Sequence, residues 1–345
     1  MKVLAENRSI VLAKRPDGAP KVTDFALQTS DNLPLEAGQF RCRNHYVSLD
    51  AGFRNWMNEN SGDDILPAMA LGSPVMGLVL GEVIESRHPD YTAGDKLMAR
   101  FAWQEYSVSD GSDFIARLPA HLAFPPSAYM GVLGDTGMSA YFGMTDIGHP
   151  GPGDCVLISG AGGAVGSIAG QLAKIQGAYV VGIVGSQAKA DWITTQLGYD
   201  AAVIRRQGEP LLASILERCP NGVDLFFDNV GGSVLEAAIA AMNPHGRLVL
   251  CGAISGYGSD EPLPGPSNMF DVVTKELKIQ GFMTHLRHDR YGEAMAALGG
   301  YLSQGKIKSP EHMLYGIERV PQAFADLFAG RNFGKTIVNL IDQPL

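Results

Sequence analysis

One stretch, residues 156–169, constrains the fold of this chain more than any other. An apolar run typical of a buried strand leads into a cluster of glycines and then into a helix candidate. Gly160 permits a sharp exit from the strand, and Gly162 and Gly163 let a phosphate approach bare backbone N–H groups. Gly166 lets the helix pack closely on the strand, and the helix N-terminus offers unpaired N–H donors. The stretch therefore predicts a site for a dinucleotide pyrophosphate.

Beyond about residue 125, apolar strands alternate with helices of ten or more residues. Strand candidates lie at 155–159, 180–184, 224–228 and 247–251. Such alternation predicts parallel βαβ units.

The first 120 residues instead show short strands separated by turns, which predicts a small β-rich domain. The last strand candidate, 335–340, is placed back in that domain. A length of 345 residues suggests about two domains.

The residues after the second strand of this series indicate which dinucleotide binds. NAD enzymes carry an acidic residue there that accepts from the ribose 2′-hydroxyl. This chain has Gly185, Ser186 and Lys189 instead, which offer space, a hydroxyl and a positive charge. Arg205 follows the next short strand and can reach the same phosphate. These residues favour NADPH.

Charge and cysteine content exclude several classes of protein. The chain has 27 Lys and Arg against 36 Asp and Glu, a net charge of −9 without basic clusters, so we expect no nucleic-acid or membrane partner. Residues 1–8 contain no apolar signal core. The four cysteines lie far apart and form no Cys-x-x-Cys pair, so we expect reduced thiols in a cytoplasmic protein.

Five segments occur in a specific order: 136–143, 163–167, 227–232, 251–257 and 332–338. Together they resemble the zinc-independent medium-chain dehydrogenase/reductases, in the leukotriene B4 dehydrogenase/prostaglandin reductase and curcumin reductase branch. The resemblance runs over nearly the whole chain.

This resemblance implies an α/β fold in which a Rossmann doubly wound parallel sheet is joined to a GroES-like β-rich domain built from both chain ends. The GroES-like substrate domain would comprise 1–125 and 303–345, and the Rossmann NADPH-binding domain 126–302. The implied reaction is NADPH-dependent reduction of a carbon–carbon double bond conjugated to a carbonyl. Relatives are often dimers, so we also expect a homodimer.

The family's cofactor contacts carry over to matching positions. The glycine loop would cradle the pyrophosphate, the residues after the second strand would face the 2′-phosphate, and the 251–257 loop would pass the nicotinamide. The expected cofactor residues are Ser139, Gly162, Gly163, Ala164, Val165, Ser186, Lys189, Arg205, Asn229, Cys251, Ile254, Ser255, Phe282, Met283, Thr284 and Asn332.

A catalytic zinc ion is not expected, because such a site needs three protein ligands. Zinc-dependent relatives have a Gly-His-Glu motif where residues 71–77 of this chain contain no histidine. Cys42 and His45 are close in sequence but lack a second ligand cluster.

Without a metal, another group must stabilise the negative charge that develops on the carbonyl oxygen as an enolate. Tyr257 is the candidate, since its loop follows a parallel strand and a phenol stays protonated at neutral pH. The cofactor ribose hydroxyl can share this role. The alternative is that Tyr257 only packs on the cofactor.

The chain departs from the family near residue 52. The family segment Asp-Pro-Tyr-Met-Arg is replaced by Asp50-Ala51-Gly52-Phe53-Arg54. Gly52 either opens space for a bulkier substrate or removes a second oxygen-binding hydroxyl. Phe53, Arg54 and Trp56 are the other candidates for the substrate pocket, with a core role for Phe53 and Trp56 and an Asp50 pair for Arg54 as alternatives.

Two other functions remain open at this point. A quinone reductase on the same scaffold also places hydride into a conjugated carbonyl. A non-catalytic NADPH-binding sensor belongs to a different class. The sequence does not identify the physiological substrate, the stereochemistry, the oligomeric state or the proton donor to the α-carbon.

Overall fold

A computed structural model describes residues 6–59, 61, 66–206, 208–258 and 264–341. These residues form two compact units. The first comprises the described residues through Met130, His312–Arg331 and those from Thr336 onward. The second comprises Gly131–Glu311 and Asn332–Lys335.

Antiparallel strands dominate the first unit. Its strands are β1 (Asn7–Leu12), β2 (Phe25–Ser30), β3 (Phe40–Ser48), β4 (Met76–Ser86), β5 (Lys96–Ala102), β6 (Tyr106–Ser109), β7 (Ile115–Arg117), β14 (Glu311–Tyr315) and β15 (Lys335–Asn339). Its helices are α1 (Pro126–Met130) and α9 (Val320–Phe328), with 3-10 segments at Val22–Asp24, Ala51–Met57 and Ile317–Arg319.

Both chain ends contribute to the larger sheet of this unit. The strand order is β14-β15-β3-β4-β5-β7, with β6 also paired to β3, while β1 and β2 form a separate pair. The late strand β15 runs antiparallel to β3, with Val338 opposite Val47. Its five residues are all buried, so this strand belongs to the core of the sheet.

An aromatic cluster fills the core of the first unit. Trp103 is 1% exposed, and its ring lies 5.7 Å from that of Phe25 and 5.1 Å from that of Phe324. Gly77 is required beside it, since a Cβ atom there would lie 2.5 Å from Trp103 Nε1. Phe324 comes from α9, so residues far apart in sequence share one core.

The second unit contains a six-stranded parallel sheet. Its strands are β8 (Cys155–Ser159), β9 (Tyr179–Val184), β10 (Ala201–Ile204), β11 (Val223–Asp228), β12 (Met242–Leu250) and β13 (Lys278–Gly281). Its helices are α2 (Asp135–Phe142), α3 (Ala164–Ile175), α4 (Gln187–Gln196), α5 (Leu211–Arg218), α6 (Gly232–Ala241), α7 (Met269–Thr274) and α8 (Tyr291–Ser303), with a π-helical segment at Gly143–Gly148 and 3-10 segments at Ile254–Gly256 and Thr284–Arg290.

The spatial order of these strands is β10-β9-β8-β11-β12-β13. Every neighbouring pair is parallel. The direction of the order reverses between β8 and β11, and in doubly wound sheets ligands bind in the crevice at this point, at the carboxyl ends of the strands. The predicted fold class, a Rossmann sheet with an antiparallel β-rich domain, is confirmed.

The edges of the two units differ from the division expected at residues 125 and 302. Helix α1 contacts β4 and stays with the first unit. Beyond α8, the backbone N–H of Lys308 donates to Gln171 Oε1 on α3 at 2.7 Å, which keeps that segment in the second unit. Residues 332–335 also join the second unit, because Gly334 N–H donates to Gly162 O at 3.0 Å.

Among the residues described, no helix combines the length and the apolarity that a membrane span requires. Residues 1–5, which form most of the segment from which no secretion signal was expected, lie outside the described residues.

A close contact between Tyr199 and α3 fixes this helix on the sheet. Tyr199 is 3% exposed, and its hydroxyl donates to Gly166 O at 2.6 Å. A Cβ atom on Gly170 would lie 2.1 Å from Tyr199 Cζ. The helix can therefore approach the tyrosine only because residue 170 has no side chain.

We predict that Gly170→Ala lowers the free energy of unfolding by about 3 kcal/mol, because the buried ring has no space to move into. Gly300→Ala on α8 is the matched control, since a Cβ atom there meets no heavy atom within 4 Å and alanine favours a helix. Denaturant unfolding of both variants checks the prediction. Equal stability of the two variants would contradict it.

Candidate functional site

The glycine loop joins β8 to α3 as the sequence predicts. β8 ends at Ser159, Gly160 adopts φ +60°, and α3 begins at Ala164. Gly163 N–H donates to Gly160 O at 2.8 Å, which closes the turn. A Cβ atom on Gly166 would lie 2.4 Å from Gly160 O, so the first turn of the helix needs glycine there.

Lys189 lies directly beside this loop, although it is on a different helix. A Cβ atom on Gly162 would lie 2.9 Å from Lys189 Cδ. The ammonium group is 5.8 Å from the centre of the Phe333 ring. Lys189 is 8% exposed, and burial lowers the pKa of its ammonium. Within the described ranges it forms no ion pair with a carboxylate, so it can accept an anionic ligand.

Two further polar residues, Ser186 and Arg205, lie at the end of β9, together with Gly185. Ser186 caps α4, and its Oγ accepts from Lys189 N–H at 3.3 Å, which leaves the hydroxyl proton free to be donated. Arg205 N–H donates to Val184 O at 2.8 Å, so the arginine follows β10 beside the same strand end. Gly185 leaves open space around its Cα. Ser186, Lys189 and the backbone of Arg205 thus all lie at the carboxyl end of β9, and their binding of a 2′-phosphate stays a prediction.

A segment near the end of the chain covers the glycine loop. Gly334 pairs with Gly163 in a parallel bridge, and its N–H donates to Gly162 O at 3.0 Å. Asn332 is 5% exposed, and its side-chain amide donates to Gly334 O at 2.9 Å. Asn332 therefore lies next to the residues of the loop, and its contact with the cofactor stays a prediction.

The carboxyl ends of β8 and β11 are joined by a network that the sequence reasoning missed. Asp228 Oδ1 accepts from Ser159 Oγ at 2.6 Å and from Val230 N–H at 2.9 Å. Gly231 N–H donates to the other oxygen of the same carboxylate at 3.0 Å. The signal that could have revealed this network is that two apolar strands both end in a short polar residue.

The expected cofactor residue Asn229 belongs to the same network. Its side-chain amide donates to Ser159 O at 2.7 Å, and its backbone N–H donates to Ser159 Oγ at 2.8 Å. Burial raises the pKa of Asp228, while hydrogen bonds from Ser159, Val230 and Gly231 act against this shift. Asn229 therefore links the carboxyl end of β11 to that of β8.

The 251–257 loop packs on the strand end formed by residues 228–230. Cys251 N–H donates to Asp228 O at 2.9 Å, and Ile254 N–H donates to Asn229 O at 3.2 Å. Ser255 Oγ donates to Val230 O at 2.6 Å. Cys251, Ile254 and Ser255 are thus brought to the carboxyl end of β11, where the cofactor is expected.

The Cys251 thiol lies near residues of α2. Burial, with the negative charge of Asp135, raises the pKa of Cys251 to about 12, and a hydrogen bond with Ser139 acts against the rise. Ser139 and Cys251, two of the expected cofactor residues, therefore lie close together, and the thiol is protonated at neutral pH.

Tyr257 has its hydroxyl turned back toward its own loop. Its Oη accepts from Ala253 N–H at 3.2 Å, and a Cβ atom on Gly252 would lie 3.2 Å from Oη. Burial raises the pKa of the Tyr257 phenol, which keeps it protonated. In the part of the chain that the structure describes, no acceptor binds its proton, so the phenol can donate to a ligand.

The last expected cofactor segment directly follows β13. The guanidinium carbon of Arg287 lies 5.5 Å from the centre of the Phe282 ring. Thr284 Oγ1 donates to Asp135 Oδ1 at 2.6 Å, which ties the segment to the start of α2. Met283, between them, is 45% exposed.

The four expected pocket residues all lie in the first unit, in the 3-10 segment Ala51–Met57. Gly52 has open space where a side chain would begin. Phe53 is 8% exposed, and its ring is 5.8 Å from that of Trp56, which packs against the core of the unit.

Arg54 has a different environment from its expected one. It is 0% exposed, and its guanidinium donates to Gly18 O at 3.1 Å, to Pro16 O at 2.7 Å and to Asn58 Oδ1. It thereby holds the 16–18 loop, and its place in a substrate pocket stays a prediction.

The described residues contain no group of three or more His, Cys, Asp or Glu side chains that could hold a metal ion. His45 is buried, and its desolvation, with the charges of Arg43 and Lys96, lowers its pKa to about 4. Cys42 is buried near Glu82, and burial raises the pKa of its thiol.

Comparison with known proteins gives matches along most of the chain. Residues 8–116 match the N-terminal domain of oxidoreductases, and residues 164–299 match the zinc-binding dehydrogenase family. The NADPH-dependent curcumin reductase of Escherichia coli is 34% identical, over 97% of this chain and 97% of its own. A 2-alkenal reductase (NADP(+)-dependent) of Nicotiana tabacum is 32% identical, over 96% and 97%.

A solved structure agrees with these sequence matches. CurA of Vibrio vulnificus in complex with NADPH is 36% identical, with a TM-score of 0.88 over 97% of this chain and 100% of that chain. The chain therefore belongs to the zinc-independent medium-chain dehydrogenase/reductases, in the branch that includes the prostaglandin and curcumin reductases.

Proposed function

We propose that this chain is an NADPH-dependent reductase that transfers hydride to the carbon–carbon double bond of an α,β-unsaturated ketone or aldehyde. The observation that carries the proposal is Lys189, buried beside Gly162 without a carboxylate partner among the residues described. Relatives named for NADPH-dependent reduction of curcumin and of 2-alkenals support the substrate class.

The residues present fit the cofactor. The backbone N–H groups from Gly162 to Val165 would bind the pyrophosphate, because the loop carries little side-chain bulk and opens α3. Lys189, Ser186 and Arg205 would bind the 2′-phosphate, since each can donate hydrogen bonds or positive charge. When bound, NADPH supplies the hydride.

Tyr257 would stabilise the charge that develops on the substrate's carbonyl oxygen. Its phenol donates a hydrogen bond without itself carrying a charge, because burial keeps it protonated. The hydrogen bond that its oxygen accepts from Ala253 N–H polarises the O–H group and strengthens it as a donor. Such a donor acts most strongly where water is excluded.

We also propose that Gly52 gives this reductase room for a bulky substrate. The support is that a Cβ atom at residue 52 meets no heavy atom within 4 Å. Phe53 and Trp56 would supply apolar surface next to it.

We predict that Lys189→Gln weakens NADPH binding by about 10- to 100-fold, because a charge-assisted contact to the 2′-phosphate is lost. Binding of NADH, which has no such phosphate, should change little. Fluorescence titration with both cofactors measures this. Lys174→Gln on α3 is the control, because the Lys174 ammonium is already paired with the Asp200 carboxylate, 2.8 Å away. An equal loss of affinity for NADH and NADPH would show that Lys189 does not select the cofactor.

We predict that Tyr257→Phe lowers kcat about 100-fold while leaving NADPH affinity within about twofold, because the ring remains and only the donor is removed. Steady-state kinetics on a panel of enones, enals and quinones tests it, with Tyr315→Phe, a 66% exposed tyrosine, as the control.

The same panel separates the alternatives. Unchanged turnover of Tyr257→Phe on every active substrate would contradict the proposed role. Turnover of quinones alone would favour a quinone reductase. Tight NADPH binding without any turnover would favour a sensor.

We further propose a homodimer formed through β13. This strand is the last in the sheet order, and its four residues are all exposed. An unprotected strand edge with apolar side chains favours pairing with another chain. Large exposed apolar side chains cluster in sequence around it: Met269, Phe270, Val273, Ile279 and Leu286.

We predict that the native chain sediments as a dimer at micromolar concentration and that Phe270→Asp sediments as a monomer, because the charge would be buried at the interface. Leu33→Asp is the matched control, since Leu33 and Phe270 are both 73% exposed. Analytical ultracentrifugation measures the mass. A native monomer, or equal dissociation of both variants, would contradict the proposal.

Location in the cytoplasm, without a nucleic-acid or membrane partner, is also proposed. The four free cysteines suit a reducing compartment. The net charge of −9 disfavours binding to polyanionic surfaces.

A further inference from the structure

Two of the four cysteines, distant in sequence, lie at the amino end of the parallel sheet. Cys155 is the first residue of β8, and Cys219 caps the C-terminus of α5. The neighbouring strands β8 and β11 have Val156 opposite Leu225, so Cys155 stands beside the start of β11. Gly222 N–H donates to Cys219 O at 3.0 Å in the turn that leads into the same strand. The backbone therefore places both cysteines beside the start of β11.

The side chains complete this pair. The two thiols lie close enough for each to change the pKa of the other. Cys219 is part of the apolar cluster of the second unit, and Cys155 packs against that cluster. Cys42 lies in the first unit, and Cys251 follows β12, so neither belongs to the pair.

The two thiols differ in access and in acidity. Cys155 is half-buried, whereas Cys219 is 1% exposed. The neighbouring Cys219 thiol lowers the pKa of Cys155, although burial and the carboxylates of Asp224, Asp154 and Asp200 act to raise it. The Cys155 thiol and burial raise the pKa of Cys219. Cys155 is therefore the accessible nucleophile, and Cys219 is the protected thiol behind it.

We propose that Cys155 and Cys219 are a peroxide-oxidisable pair that forms a reversible disulfide, with Cys155 attacking and Cys219 resolving. The Cys155 sulfur attacks the O–O bond of a hydroperoxide, which gives a sulfenic acid and releases the alcohol, or water from hydrogen peroxide. The Cys219 sulfur then attacks the sulfenic sulfur, which forms the S–S bond and releases water. Two thiols lose two electrons and two protons, and the peroxide accepts them.

The disulfide would leave the cofactor site open. Cys155 begins β8, whereas the glycine loop leaves the opposite end of the same strand after Ser159. The bond would tie β8 to α5 and close a loop of 65 residues, from 155 to 219. Cross-links that close long loops restrict the unfolded chain, so the oxidised protein should be more stable. In cytosolic proteins such bonds are transient and respond to oxidants.

The test treats the full chain with hydrogen peroxide and maps its thiols by alkylation and peptide mass spectrometry. We expect loss of about 2 Da, a cross-linked peptide pair containing Cys155 and Cys219, and full reversal by dithiothreitol. The apparent Tm should rise by about 5–10 °C on oxidation and return on reduction. Turnover or NADPH binding is not needed as a readout, so the result does not depend on the proposed function.

Two variants separate the roles of the sulfurs. Cys219→Ser should leave Cys155 as a sulfenic acid that dimedone traps, whereas Cys155→Ser should give neither trapping nor a shift in Tm. If either variant fails to fold, the peptide map of the native chain decides alone. Four alkylatable thiols after peroxide treatment, or a disulfide between any other pair, would overturn the proposal. Trapping at Cys219 rather than Cys155 would overturn the assigned roles.

Discussion

The carboxylate of Asp228 is the point on which the candidate site depends. It is 1% exposed, and it accepts hydrogen bonds from Ser159 Oγ and from two backbone N–H groups of its own turn. A buried carboxylate lowers the stability of the fold unless hydrogen bonds satisfy its lone pairs. The loss of any one of these donors would therefore be destabilising. The result is that β8 and β11 end in a fixed relation, at the point where the strand order reverses. The glycine loop leaves one of these ends, and the 251–257 loop packs on the other.

Much of this arrangement was predictable because it depends on local sequence. Residues 156–169 predict a strand, a turn and a helix from their own pattern, and the structure has all three. The alternation of apolar strands and helices predicts the parallel sheet in the same way. The assignment of residues 335–340 to the first β-rich unit has no local signal behind it, since the pairing of β15 with β3 joins residues far apart in sequence.

What could not be predicted depends on contacts between distant residues. The sequence indicates Lys189 by its charge, but the packing of Lys189 on Gly162 and its burial follow from how α4 lies against the loop. A local motif makes Arg54 a pocket candidate. In the structure, its guanidinium donates hydrogen bonds to carbonyl groups of the 16–18 loop. Spacing in sequence gives no information about Cys155 and Cys219, which the pairing of β8 with β11 places at the same end of the sheet.

The burial of Lys189 has a consequence for how the site responds to ionic strength. Interactions between exposed charges weaken within a Debye length as salt is added, but buried charges are screened much less. Arg205 is exposed and Lys189 is buried, so dissolved salt screens the charge of Arg205 more strongly than the charge of Lys189. If both residues bind the 2′-phosphate as proposed, the contribution of Arg205 would fade first at high salt, and selection of NADPH would then depend mainly on Lys189.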